Sequence, residues 1–318
     1  SVLIAQDIRN NPTSNHGNKF EQLGTILPTA NEYRTASGAP GPKYWQQRAD
    51  YDIKCELDEN TQTLKGSETI TYHNNSPDPL TYIWIQLDEN QHNSLNNANY
   101  QSATKMPARA TDKQLENFAL NSADNGFGFN ILKITDVQGK SLKYTINKTM
   151  MRIETPVLKS GDKFVFSIDW NYKIVDRIAK GGRGGYEFFP ADGNYLFTMA
   201  QWYPRLCVYS DFQGWQNHQF TGRGEFALTF GNYNVQMTVP ADHMVGATGV
   251  LQNPEQVLSA TELQRWNKAK QTYDAPVIIR TQAEAEALEK KKATGKKTWI
   301  FKAENVRDFA WTSSRKFI

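Results

Sequence analysis

Residues 195–240 read YLFTMAQWYPRLCVYSDFQGWQNHQFTGRGEFALTFGNYNVQMTVP. The first half crowds Trp202, Tyr203, Tyr209, Phe212, Trp215 and Phe220 together, broken by the turn formers Pro204, Gly214, Gly222 and Gly224. The second half alternates. Phe226, Leu228 and Phe230 are offset by one position from Ala227 and Thr229. Tyr233, Val235, Met237 and Val239 are offset in the same way from Asn234, Gln236 and Thr238. A period of two sends one set to a core face and the other toward solvent, so both runs are expected as strands. The phase slips at Gly231-Asn232, which predicts a bulge or tight hairpin. An aromatic loop entering a long strand is a way to hold a loop residue rigidly at a sheet edge.

Upstream, the same alternation marks the first clear strand pair. Tyr51, Ile53, Cys55 and Leu57 alternate with Asp52, Lys54, Glu56 and Asp58. Leu64 and residues 67–72 return as a second strand, and Leu80 to Leu87 (LTYIWIQL) reads as a third, more buried one. Strands are also expected at 129–137, 143–146, 151–153 and 163–172, with turns at Gly139 and Ser160-Gly161-Asp162. Short strands at this spacing predict a mainly β chain built as an antiparallel sandwich or saddle-like sheet. Residues 1–43, rich in Asn, Gly, Pro and Thr, read as an extended N-terminal arm that lies on the body or is partly disordered, and 44–318 as the β domain. The Asn- and Ala-rich stretch 88–126 reads as a surface insertion, with a short helix over 112–120.

Downstream of Pro240 the period changes. Ser259-x-x-Glu262 and Thr281-x-x-Glu284 are capping boxes, each followed by helix-forming sequence, so two short helices are expected inside a second insertion near 250–297. Residues 298–303 return to strand, with Trp299 and Phe301 on one face, and 309–318 form a last apolar segment.

Composition excludes several function classes. The 318 residues carry 36 basic and 33 acidic side chains, a net charge of +3, which argues against a dedicated nucleic-acid binder. No apolar run approaches the roughly 18 residues of a membrane span. The two cysteines, Cys55 and Cys207, build no disulfide framework, and both a single bridge and two free thiols fit the sequence. The five histidines include no H-E-x-x-H, and there is no C-x-x-C or G-x-S-x-G, which speaks against a self-contained zinc site or a nucleophile elbow. His243, in the segment PADH, reads as part of a strand-end turn. Gly181-Gly-Arg-Gly-Gly185 lacks the Lys-Ser/Thr of a phosphate loop and reads as a flexible hairpin loop before Tyr186–Phe189.

From about residue 45 to 318 the chain resembles the N-terminal β domain of the aminopeptidase N and leukotriene A hydrolase family of zinc metallopeptidases. The segments YDIKCELDENTQTLKGSETITYHNNSP (51–77) and LKSGDKFVFSIDWNYKI (158–174) carry that resemblance, with the loop holding Gln201, Arg205 and Asp211. The runs EFALTF and VQMTVPADHMVGATGVL and the ending KTWIFKAENVRDFAWTSSRKF (297–317) complete it. The resemblance implies that Gln201 presents its side-chain carbonyl to the free α-amino group of a peptide substrate, a charge-assisted contact suited to an exopeptidase. Arg205 would support the loop. Met199 stands where the family has a first Gln, and Val208–Gln213 replaces its Pro-Cys-x-Asp-x-Pro.

The family's H-E-x-x-H, its Gly-x-Met-Glu-Asn loop and its catalytic Tyr belong to a following thermolysin-like domain and do not occur here. The resemblance therefore implies a non-catalytic part of a longer hydrolase, with no cofactor in this chain and zinc in the absent domain. It would cap the active-site cleft, with its own catalytic domain and the peptide as partners. The Asn-rich, strand-rich make-up points to a periplasmic or secreted parent, with the cytoplasm as the alternative. Two other readings stand beside it: a stand-alone β-sandwich module binding carbohydrate or protein, with Trp202, Tyr203, Tyr209 and Trp215 as stacking rings, and a scaffold that has lost its catalytic half.

Overall fold

The computed structural model describes residues 30–95, 109–116, 124–222 and 227–318. Most of the expected N-terminal arm, residues 1–29, lies outside them. Its described end lies on the body, where Arg34 Nε donates to Asp211 Oδ2 at 2.7 Å.

Three sheets share one core. The largest has seven strands: β1 (Arg48–Asp58), β2 (Thr63–His73), β4 (Asn130–Asp136), β7 (Lys163–Lys173), β13 (Gly231–Pro240), β15 (Val250–Leu251) and β16 (Lys296–Val306). Their order across the sheet is β15-β16-β13-β1-β2-β7-β4. A four-stranded sheet runs β10 (Arg205–Leu206), β3 (Leu80–Gln86), β6 (Met150–Leu158), β5 (Tyr144–Asn147). A second runs β14 (Met244–Ala247), β17 (Trp311–Ser314), β9 (Asn194–Met199), β8 (Gly185–Phe189). The small hairpin β11 (Tyr209–Ser210) and β12 (Gly214–Trp215) stands apart. The mainly β, antiparallel expectation holds with one departure: β1 and β13 pair in parallel, Tyr51 opposite Tyr233 and Cys55 opposite Met237.

The alternating residues point where their period places them. Ile53, Leu57, Ile70, Tyr72, Val235, Met237 and Val239 are fully buried. They join Ile83, Ile85, Met151 and Ile153 of the second sheet and Phe197, Met199 and Trp311 of the third in a single apolar cluster. Gly66 is where β2 passes under Trp170; an added Cβ would lie 2.2 Å from that indole. Gly231 marks the predicted bulge, between Gly231 and Tyr233 against β16, where an added Cβ would lie 1.6 Å from the Ala49 carbonyl.

One expected strand is not formed over its described residues. Residues 227–230 of the expected EFALTF strand are irregular, and 225–226 lie outside the described residues. The burial explains why: Thr229 is buried while Phe230 is exposed, the reverse of the alternation. Both capping boxes are present. Ser259 and Glu262 open the helix Ala260–Ala269, and Thr281 and Glu284 open the helix Gln282–Glu289. Arg280 Nε donates to Glu262 Oε1 at 2.7 Å and Arg265 Nη1 to Glu284 Oε2 at 2.6 Å, tying the two together. Of the helix expected over 112–120, residues 112–116 are helical and the rest lies outside the described residues.

The turn holding His243 is buried, not solvated. Arg315, fully buried, donates to both oxygens of Glu59 and of Asp242 and to Asn194 Oδ1. His243 Nδ1 lies 2.8 Å from Ser313 Oγ in the same cluster. Cys55 and Cys207 are free, buried thiols.

Candidate functional site

The turn from β9 to β10 carries Gln201. β9 is held on both edges, by β17 and β8, so the strand delivers the turn rigidly. Gln201 itself has φ of +60°, the left-handed region that costs a non-glycine residue about 1 to 2 kcal/mol. It is 9% exposed, and its side-chain amide makes no hydrogen bond to any described residue. A glutamine that capped its own backbone would be spent there; this one is not.

The residues after it explain how the strained turn persists. Trp202 is buried against Trp170, Tyr203 and Trp311, and its Nε1 donates to the Phe309 carbonyl at 2.8 Å. Tyr203 Oη donates to Asp308 Oδ1 at 2.9 Å and lies 3.1 Å from Tyr233 Oη. Leu206 N–H donates to Tyr51 Oη at 3.0 Å. Strain in a short turn survives only where the surroundings over-determine it, and here Trp202, Tyr203, Arg205 and Leu206 all anchor the segment that follows the strained residue.

Arg205 is one of them. It is 3% exposed and lies between two carboxylates. Nε donates to Asp88 Oδ2 at 3.1 Å, Nη1 to Asp308 Oδ2 at 2.8 Å, and Nη2 reaches both Asp88 and Gln86. Burial works against its charge, but the Asp88 and Asp308 carboxylates outweigh burial and raise its pKa. On Asp88 burial dominates and raises the pKa, with Arg205 opposing.

The start of the expected surface insertion is therefore internal. Asp88, Glu89 and Asn90 are buried in the 3-10 turn Asp88–His92. Burial, with the charge of Asp88, pushes the Glu89 carboxyl up to about 8. Burial, with the charge of Lys180, drives the His92 imidazole down to about 4. The glycine loop 181–185 closes the group. It joins the helix Arg177–Lys180 to β8 and is no hairpin; a Cβ on Gly184 would lie 2.9 Å from the Ala200 carbonyl, and one on Gly182 would lie 3.7 Å from the His92 ring. Three segments far apart in sequence thus meet at Ala200 and Arg205, on either side of Gln201 in the chain. Gln201 and Arg205 were expected in this loop from the sequence, whereas Asp88, Glu89 and Asp308 were not singled out. The available signal was an acid pair placed directly after the apolar run of β3.

The aromatic residues divide. Trp202 and Tyr203 are wholly buried and form core, so they provide no sugar-stacking surface, whereas Tyr209 and Trp215 are half-exposed on the β11–β12 hairpin. Among the described residues, no group of three or more His, Cys, Asp or Glu side chains is placed to hold a metal ion. No described helix is long and apolar enough to cross a membrane.

No family model matches the chain, and no curated protein matches it. Among solved structures, it is similar to the M1 zinc metallopeptidase of Deinococcus radiodurans. A mutant of that enzyme aligns at 12% identity over 85% of this chain and 42% of the other, with a TM-score of 0.40. The mutant bound to a Tyr-Ser-Ala substrate aligns at 12% identity over the same shares, at 0.42. A two-domain M1 zinc metallopeptidase mutant bound to L-tryptophan aligns at 12% identity over 87% and 44%, at 0.41. The chain thus spans less than half the length of these structures.

Proposed function

We propose that this chain is the non-catalytic N-terminal β domain of a zinc-dependent aminopeptidase, and that Gln201 accepts a hydrogen bond from the free α-amino group of the peptide substrate. One observation carries the reading: Gln201 is held in a strained, firmly anchored turn, and its amide has no hydrogen-bond partner among the described residues. A costly backbone conformation that presents an unspent polar group is what a recognition residue requires. Arg205 has a positioning role, since its ion pairs with Asp88 and Asp308 fix the turn that carries Gln201. The quoted sequence segments support the assignment to the peptidase family. Zinc belongs, in this reading, to a catalytic part outside these residues, and the present chain caps its cleft.

The test compares residues 1–318 with the full product of the same gene on aminoacyl fluorogenic substrates, with and without a zinc chelator. The longer protein is expected to be active and the chelator to silence it, while residues 1–318 alone are inert. In the longer protein, Gln201→Ala is expected to raise KM for free-amino substrates by about tenfold or more, given roughly 1.5 to 3 kcal/mol for a hydrogen bond to a charged group. An inert long form, or an unchanged KM, overturns the proposal.

A further inference from the structure

The geometry points to a second binding site, for a neutral oligosaccharide, on the outer face of the sheet β10-β3-β6-β5. Strand β3 sends Ile83 and Ile85 into the core and leaves Tyr82 and Trp84 on the opposite face, both half-exposed. The ladder sets Arg152 opposite Trp84 and Glu154 opposite Tyr82. With Trp215 and Asn217 from the β11–β12 hairpin, these rings line an open cleft of about 640 Å³. That lies within the roughly 300 to 1,000 Å³ of small-molecule sites.

The chemistry of the cleft selects the ligand. The indoles of Trp84 and Trp215 make no hydrogen bond to any described residue, and neither does the Asn217 amide. Each has an apolar face or a free polar tip. Arg152 stacks on Tyr82, its guanidinium 4.1 Å from the ring centre, so its planar fork of donors is fixed before a ligand arrives. Stacking rings beside planar donors match a pyranose, whose C–H face lies on an aromatic ring while its hydroxyls bond in the ring plane. A flexible aliphatic ligand would leave those donors desolvated and unpaired. Charge settles the class further. Glu154 lies 3.4 Å from Arg152 and balances it, so an acidic sugar would meet a carboxylate, and a neutral one meets no net charge.

This inference does not depend on the peptidase reading, because the cleft shares no residue with the Gln201 turn. The experiment is isothermal titration calorimetry of the intact protein with cellohexaose and maltohexaose as neutral probes, and polygalacturonate as an acidic one. At least one neutral hexasaccharide is expected to bind, and Trp84→Ala to weaken it about tenfold. Asn217→Ala, at an exposed position that leaves the fold untouched, is expected to weaken it in the same direction and keeps the test valid should Trp84→Ala misfold. Trp266→Ala, on the helix Ala260–Ala269, is expected to leave binding unchanged. Absence of heat with both neutral probes overturns the proposal, as does binding that survives both Trp84→Ala and Asn217→Ala. Preference for polygalacturonate overturns the neutral class.

Discussion

Arg205 and Asp88 form a buried ion pair across 117 positions of sequence, with Asp308 on the other side of the guanidinium. Removing the cation leaves the Asp88 carboxyl buried and unpaired. Arg205→Met is therefore expected to destabilise the protein by about 3 to 5 kcal/mol. Pairing it with Asp88→Leu should recover most of that loss, because a buried pair replaced by apolar groups is often neutral. Urea unfolding of the two variants checks both statements. Equal losses in the single and double variants would contradict the pairing argument.

Gln201 carries the opposite prediction. Glycine tolerates φ of +60° without penalty, so Gln201→Gly is expected to hold or gain stability by up to about 1 kcal/mol. The same change removes the amide, so under the proposed role peptide affinity in the longer protein should fall while the melting temperature does not. Calorimetry beside kinetics separates the two effects.

Glu68 sits on the core face of β2, 1% exposed, with no partner for either oxygen. Burial raises its pKa well above the ordinary carboxylate value, so the fold favours the protonated acid. Glu68→Met is expected to stabilise the protein by roughly 1 to 3 kcal/mol, the cost of an unpaired buried polar group. Glu68→Gln keeps a polar group and should gain much less. Chemical denaturation of both variants provides the comparison.

Glu89 sets a pH dependence. Its pKa is about 8 in the fold against 4.5 ordinarily, so the folded state holds a proton that the unfolded state has released. Stability from this group is full below about 4.5 and falls as pH rises toward about 8. His92 works in the other direction only below its ordinary 6.5, because its folded value is near 4. Between pH 6.5 and 8 the Glu89 effect therefore stands clear of His92. The urea midpoint should drop across that window, and Glu89→Gln should flatten the drop.

Local patterns made much of this fold readable before any coordinates. The alternation at Tyr51–Leu57 and Tyr233–Val239 gave faces, the slip at Gly231 gave the bulge, and two capping boxes gave two helix starts. Faces say nothing about neighbours, so the parallel pairing of β1 with β13 was hidden. The run at 225–230 misled over its described residues 227–230, because alternation is necessary for a half-buried strand and does not provide the partner that makes one. The site was half legible. Gln201 and Arg205 stood in a distinctive loop, but Arg205's partners lie 117 and 103 positions away, and a carboxylate leaves no periodic trace of the cation it will meet.

The parallel pair also has a consequence in time. Asp52 on the central strand β1 lies opposite Asn234, 182 positions later. At roughly 5 to 20 residues per second of synthesis, that edge of β1 waits about 9 to 36 s for its partner. The β1–β2 hairpin can close early, yet its other side remains an open template for strand addition meanwhile. Ribosome-bound chains stopped before residue 231 are expected to stay protease-sensitive in β1 and to gain protection once β13 has emerged. Vulnerability to misassembly in this protein is thus concentrated in the interval between making Asp58 and making Gly231.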